Sequence, residues 1–305
     1  MSEQDTHQFM SDNVTPTALA TLPVFINPKS GSAAMLLPYL RQHPRLLVHE
    51  VNPKQLTEQL RTEVAKGSPR VLIAGGDGTL GLAASVLVGT NTAMAVIAGG
   101  TLNHFVGNLG LPTSVEAAVE LALNSPNTTQ IDVGYVNERL FLNTSSVGMY
   151  VRFVRTREHL ERYMSYRMAS IVAGLRRLMR LRSARLYVNG VKLRSPLAFI
   201  GVRERELSYP VLGQALDKGQ HGLHVIVVRT QNRWEMLKLS FNAIFRGVSP
   251  LAKAKQVENR VVDSITIDNH YRKQGIYVAL DGEIALLKTP LYYRYERDVL
   301  KVVVA

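Results

Sequence analysis

The chain has no cysteine, which excludes disulfides and thiolate metal sites and fits a cytoplasmic protein. Nor does it hold a run of about 18 apolar residues, the length of a membrane span. Its first residues are polar and lack the charged-then-apolar order of a signal peptide; residues 1–20 are expected to be a disordered lead-in without a core-forming pattern. Acidic residues are scarce beside basic ones: 24 Asp and Glu stand against 36 Lys and Arg, a net charge of +12. That balance points to a polyanionic partner, whether nucleotide, nucleic acid or anionic membrane. No RNA- or DNA-binding motif accompanies it, which sets nucleic acid aside. Apolar residues are plentiful, and at 305 residues and 46% hydrophobic the chain can bury a sizeable core and form two domains.

Residues 70–87 organise the rest. Residues 71–74 are a short apolar run of the kind that fills a buried parallel strand, and from Leu80 onward apolar residues recur at helical spacing. Gly75, Gly76, Asp77, Gly78 and Thr79 therefore read as a strand-to-helix turn, continuing through Leu80 and Gly81. Glycines without Cβ atoms let a bulky anion approach the backbone, and the helix behind them offers unpaired N–H groups and a positive dipole end. A carboxylate among phosphates repels them unless a cation lies between, so Asp77 points to magnesium. The competing reading is a tight turn in which Asp77 or Thr79 caps the helix. A second small-residue turn, Asn27, Pro28, Lys29, Ser30, Gly31 and Ser32, follows the apolar run 22–26. A third, from Gly99 through Thr101, Asn103 and His104 to Phe105, follows the run 94–98. In an open parallel sheet such turns share one edge, where ligands bind.

From Gln130 the periodicity changes to strands, with residues 131–136, 140–143, 186–193 folded about Asn189-Gly190, 197–202, 223–228, 261–267, 276–280, 291–295 and 300–304. The fold class expected is α/β: an N-terminal open parallel-sheet nucleotide-binding domain over 21–130, then a C-terminal β-rich, sandwich-like domain over 131–305, with a cleft between. A helix at 234–245 interrupts the strands, and Thr113 to Glu116 matches a capping box before the helix at 113–125. Between residues 152 and 194 eleven Arg and one Lys face only Glu158 and Glu161. Within that segment Met164, Met168, Ile171, Leu175 and Leu178 fall at helical spacing, leaving Arg162, Arg176, Arg177 and Arg180 for other faces. Two readings stay open for this basic amphipathic helix: a packed element with a solvated face, or contact with a membrane surface.

Six segments together resemble the bacterial lipid kinases with a diacylglycerol-kinase catalytic domain, relatives of sphingosine kinases and more distantly of NAD kinases. They are Asn27-Pro28-Lys29-Ser30-Gly31, Gly75 to Thr79, Gly100 to Phe105, Ile131-Asp132-Val133-Gly134, Phe141-Leu142-Asn143 and Leu280-Asp281-Gly282-Glu283. The resemblance implies transfer of phosphate from ATP, with magnesium, to a lipid hydroxyl at the inner face of the membrane. Carried over by position, Asn27 to Gly31, Gly75 to Gly81, Thr101 and Asn103 hold the nucleotide, and Glu283, helped by Asp281, is the base on the hydroxyl. Asp77 serves the catalytic metal. Two departures stand out. His104 replaces the Asp of many relatives, and the stretch Leu216 to His224 keeps only Asp217 of an Asp-rich turn that implies a structural magnesium. The segment Gly201-Val202-Arg203-Glu204 likewise lacks the paired asparagines many relatives show there. Three functions remain in play: a lipid kinase, a kinase of a soluble hydroxyl substrate, and a catalytically weak lipid- or nucleotide-binding module. The oligomeric state, a homodimer included, is not fixed by the sequence.

Overall fold

The computed structural model describes residues 21–100, 103–179, 184–188, 191–206, 213–216, 218–229, 232, 234–235, 257–268 and 275–305. The lead-in, Thr101, the tip of the 189–190 hairpin, Asp217 and most of the helix expected at 234–245 lie outside them.

The first half alternates strand and helix: β1 (Leu22–Ile26), α1 (Ala33–Gln42), β2 (Leu46–Glu50), α2 (Pro53–Ala65), β3 (Arg70–Gly75), α3 (Asp77–Leu87), β4 (Ala93–Ala98), the short α4 (His104–Asn108) and α5 (Val115–Asn124). Strands β1, β3 and β4 are buried along most of their length, as the continuous apolar runs require of a sheet covered on both faces. They pair in parallel in the order β2-β1-β3-β4. The chain leaves β1 to one side and returns on the other, so the loops after β1 and β3 part over a crevice at the strands' carboxyl ends. The capping box expected at Thr113 is not formed. Helix α5 starts later, with Ser114 accepting from Ala117 N at 3.3 Å, which puts Ala117 where the box needs Glu or Gln. The box is found instead on α2, where Asn52 accepts from Gln55 N and Gln55 accepts from Asn52 N.

The second half comprises β5 (Thr128–Val136), β6 (Arg139–Phe141), β7 (Thr144–Gly148), α6 (Met149–Leu160), α7 (Tyr166–Met179), β8 (Ala184–Val188), β9 (Val191–Ser195), β10 (Leu197–Val202), β11 (Leu223–Val228), β12 (Val257–Val262), β13 (Ser264–Asp268), β14 (Ile276–Leu280), β15 (Glu283–Leu287) and β16 (Leu291–Val303). The apolar run at 261–267 is not one strand. It breaks at Asp263, so β12 pairs with β11 in a six-stranded antiparallel sheet while β13 pairs with β16 and β8 in the sheet that also holds β1 to β4. The inner faces of these sheets share a core that includes Phe141, Val147, Ile200, Val225, Ile267, Val278 and Tyr293. Strand β16 also reaches the other core: past a bulge between Glu296 and Leu300, Val302 pairs in parallel with Met94 of β4, and Leu300 and Val302 pack with Phe25, Ile73 and Leu80. The basic segment forms two helices rather than one. Among the described side chains of α7, Ala169 and Ala173 are both 0% exposed, whereas Met168 of the expected apolar face is 53% exposed; the side chains of Ile171, Leu175 and Leu178 of that face are outside the described ones, and α7 packs beside α6.

Candidate active site

The three small-residue turns meet at the crevice. Ser32 Oγ donates to Gly99 O at 2.6 Å, and Gly99 N donates to Gly75 O at 3.0 Å. A Cβ on Gly100 would lie 2.8 Å from Gly76 Cα, and one on Gly99 would lie 3.0 Å from Gly75 Cα. These four glycines let the second and third turns pack backbone against backbone, a use beyond the approach of an anion. Gly31, with nothing within 4 Å of its Cβ position, faces open space.

Asp77 does not cap its own helix, since α3 starts from Gly76 without a side-chain cap. It reaches across to the third turn, where Oδ2 accepts from His104 N at 3.1 Å and Oδ1 from Phe105 N at 3.0 Å. The carboxylate thus caps α4 and ties the two turns together. The first N–H groups of α3, at Asp77, Gly78 and Thr79, keep no partner within the helix and lie at its positive end. Asn103, left-handed at φ 48, clasps its own turn through Gly100 N at 2.7 Å and Gly100 O at 2.9 Å. Leu80 serves packing rather than ligand contact: it is 0% exposed and its N–H bonds to Gly76 O. In the first turn Asn27 Oδ1 accepts from Lys29 N at 3.0 Å and Ser30 Oγ donates to Asn27 O at 2.9 Å. Pro28 and Lys29 stand exposed at the rim.

The acidic turn arrives from the other core. Asp281 and Gly282, at φ 46 and 92, form a two-residue hairpin turn between β14 and β15, in which Leu280 pairs with Glu283. Asp-Gly suits a turn needing two positive φ values, and this one lands on α3. A Cβ on Gly78 would overlap the Glu283 carboxylate, and one on Gly81 would lie 3.9 Å from Asp281 Oδ2. Asp281 points inward: Oδ2 accepts from Leu142 N at 2.7 Å, and Oδ1 from Asn143 N at 2.8 Å and Thr144 N at 2.9 Å. Burial pushes its carboxyl up to about 6, the three N–H donors work against that rise, and the charge of Asp77 adds to it. The Phe141-Leu142-Asn143 motif is therefore the seat of the Asp281 side chain. Gly134 makes room beside it, since a Cβ there would run into the Phe141 ring.

Glu283 itself is exposed and closes one side of a cavity of about 180 Å³, which Phe25, Asn27, Asn52, Leu56 and Thr79 also line. Asn52 and Leu56 were missed in the sequence; the signal was there, because the residues after β2 end at the same sheet edge as the three turns. Thr101 and Asp217 fall outside the described residues. Among the described residues no three His, Cys, Asp or Glu side chains gather closely enough to hold a metal ion, and no helix is long and apolar enough to cross a membrane.

The profile of the diacylglycerol kinase catalytic domain matches residues 21–136. A protein of Mycobacterium tuberculosis named diacylglycerol kinase is 29% identical over 237 residues, 74% of each chain. A crystal structure titled as a diacylglycerol kinase from Bacillus anthracis superposes with a TM-score of 0.66 at 19% identity, covering 93% of this chain and 97% of that one; this likeness establishes the fold.

Proposed function

The chain carries a diacylglycerol kinase catalytic domain over residues 21–136, and on that premise we propose that it moves the γ-phosphoryl group of ATP to the hydroxyl of a lipid, diacylglycerol or a close relative. The observation that carries this reading is the docking of the Asp281-Gly282-Glu283 hairpin on the N-terminal turn of α3, where Gly78 leaves space for the Glu283 carboxylate. The phosphates lie along Asn27 to Gly31, the free N–H groups of Asp77 to Thr79, and the third turn at Asn103. The base and ribose enter the cavity beside Asn52 and Leu56. Glu283 takes the proton as the lipid oxygen bonds to the γ-phosphorus and the bond from that phosphorus to the β-phosphate oxygen breaks, releasing ADP. Asp281 positions the turn through its three N–H bonds and is not the base. A magnesium ion carried in with the phosphates fits Asp77, whose oxygens each accept a single N–H and so retain lone pairs; when bound it neutralises phosphate charge. The β-rich half receives the lipid, and the basic helices α6 and α7 face the inner membrane surface as a peripheral contact.

The test is incubation of the protein with labelled ATP and a lipid extract, followed by identification of the labelled product. A labelled phospholipid is expected. Label in a soluble product alone, or ATP hydrolysis unaffected by lipid, contradicts the proposal.

A further inference from the structure

One acidic residue of the shared motifs stands apart from the cavity. Asp132 of β5, its side chain 2% exposed, lies beside the bulge in β16, where its Oδ1 accepts from Asp298 N at 2.9 Å. Its Oδ2 faces His221 Nδ1 at 2.9 Å and Arg203 Nε at 3.6 Å. The Tyr295 hydroxyl, 3.0 Å from the same His221 nitrogen, also donates to this carboxyl. Burial alone raises the Asp132 carboxyl; the donors Tyr295, Asp298 N–H and His221 outweigh it and hold the group below the usual range. His221 precedes Gly222, at φ 136, on the way into β11. The chain leaving β10 grips the same turn: Arg203 N donates to Gly222 O and Glu204 N to Gln220 O, both at 2.9 Å, while Glu204 Oε2 accepts from Gln220 N at 2.9 Å.

This is the turn at which the resemblance implies a structural magnesium, and the described residues do not fit one. Asp298 N and His221 Nδ1 take hydrogen-bond positions on Asp132, Tyr295 adds a third donor, and the Arg203 guanidinium stands 3.6 Å away as a positive charge. Glu204, the other described carboxylate here, does not join Asp132 and His221 in a cluster that could hold a metal ion. The buried carboxylate already faces a guanidinium charge and an imidazole donor, the kind of positive partner a cation would supply. We infer that Arg203 and His221 replace the structural divalent ion, fastening the turn before β11 to Asp132 and so clamping the six-stranded sheet to β5 and β16 without metal.

Thermal unfolding of the full chain without nucleotide, in EDTA and in millimolar magnesium, tests this. The unsubstituted protein is expected to melt at the same temperature in both. His221→Ala is expected to melt about 2–8 °C lower in both, from loss of a partner to a buried carboxylate. His221→Asp, which returns a carboxylate to the turn, is expected to melt low in EDTA and to recover with magnesium. Unchanged melting of His221→Ala, or His221→Asp that magnesium fails to restore, overturns the inference. So does a magnesium-dependent rise in the unsubstituted protein that persists in Asp77→Asn. None of these readouts involves phosphoryl transfer, so the outcome is separate from the kinase reading.

Discussion

Asp281 and Glu283 are two residues apart and chemically alike, yet the structure gives them opposite surroundings. Asp281 is surrounded by backbone donors and Glu283 is left facing the cavity. The resemblance alone sets Glu283 before Asp281, because spacing does not reveal which carboxylate the N–H groups of residues 142–144 will claim. This arrangement has a pH consequence. The Asp281 carboxyl sits at about 6 when folded against an ordinary 3.8, so the folded chain binds this proton before the unfolded chain does. Its contribution to stability is full below the ordinary value and is lost as pH rises through about 6. Asp281→Asn removes the titration; its Oδ1 keeps two of the three N–H bonds. Urea unfolding from pH 7 down to pH 4 is therefore expected to show the unsubstituted protein gaining on Asp281→Asn by on the order of 3 kcal/mol. The buried His224, whose protonation burial disfavours, is common to both and cancels. A constant difference across this range contradicts the placement.

Among the elements, β1, β3, β4 and their turns were legible because buried parallel strands are uninterrupted apolar runs and glycine turns punctuate them. The use of the glycines was only half legible: that Gly76 abuts Gly100 and Gly99 abuts Gly75 depends on how far apart two loops lie in the sheet. The break of the 261–267 run is marked only by the polar pair Asp263-Ser264, which interrupts the apolar residues but does not say that the chain changes sheet. Likewise the apolar spacing of α7 placed Met168 on the apolar face, yet it is exposed while Ala169 and Ala173 are buried. The contact between hairpin and helix gives a prediction at this scale. Gly78→Ala replaces glycine by the better helix former, worth about 1 kcal/mol in a helix interior and less at its first turn, but its Cβ displaces the Glu283 carboxylate. Calorimetry is expected to show equal or higher Tm, while lipid phosphorylation falls at least tenfold. Full activity in a folded Gly78→Ala protein rules out a Glu283 seated on α3.

On the scale of the whole molecule, the charge of +12 is the feature behind the proposed contact with an anionic lipid surface. Arg162 and Arg176 are exposed, and Met168 and Val172 stand exposed beside them at 53% and 37%. Cosedimentation with anionic vesicles is expected to weaken steeply with salt, and replacing both arginines by glutamine to weaken it by roughly 1 kcal/mol for each while nucleotide affinity is kept. Unchanged vesicle binding makes α7 a packed helix with a solvated face. Above the membrane question stands the meeting of two cores at one site, where the hairpin of the β-rich half lands on the first turn of α3; the proposed reading puts the nucleotide on the turns of the parallel sheet and the base on that hairpin. The most direct measurement is the single-turnover rate of Glu283→Gln at saturating ATP and lipid, taken with its ATP affinity. A rate lower by about 10²–10⁴-fold with nearly unchanged affinity is expected, since the amide keeps the shape and loses proton acceptance; a folded Glu283→Gln protein that turns over at the unsubstituted rate contradicts Glu283 as the base.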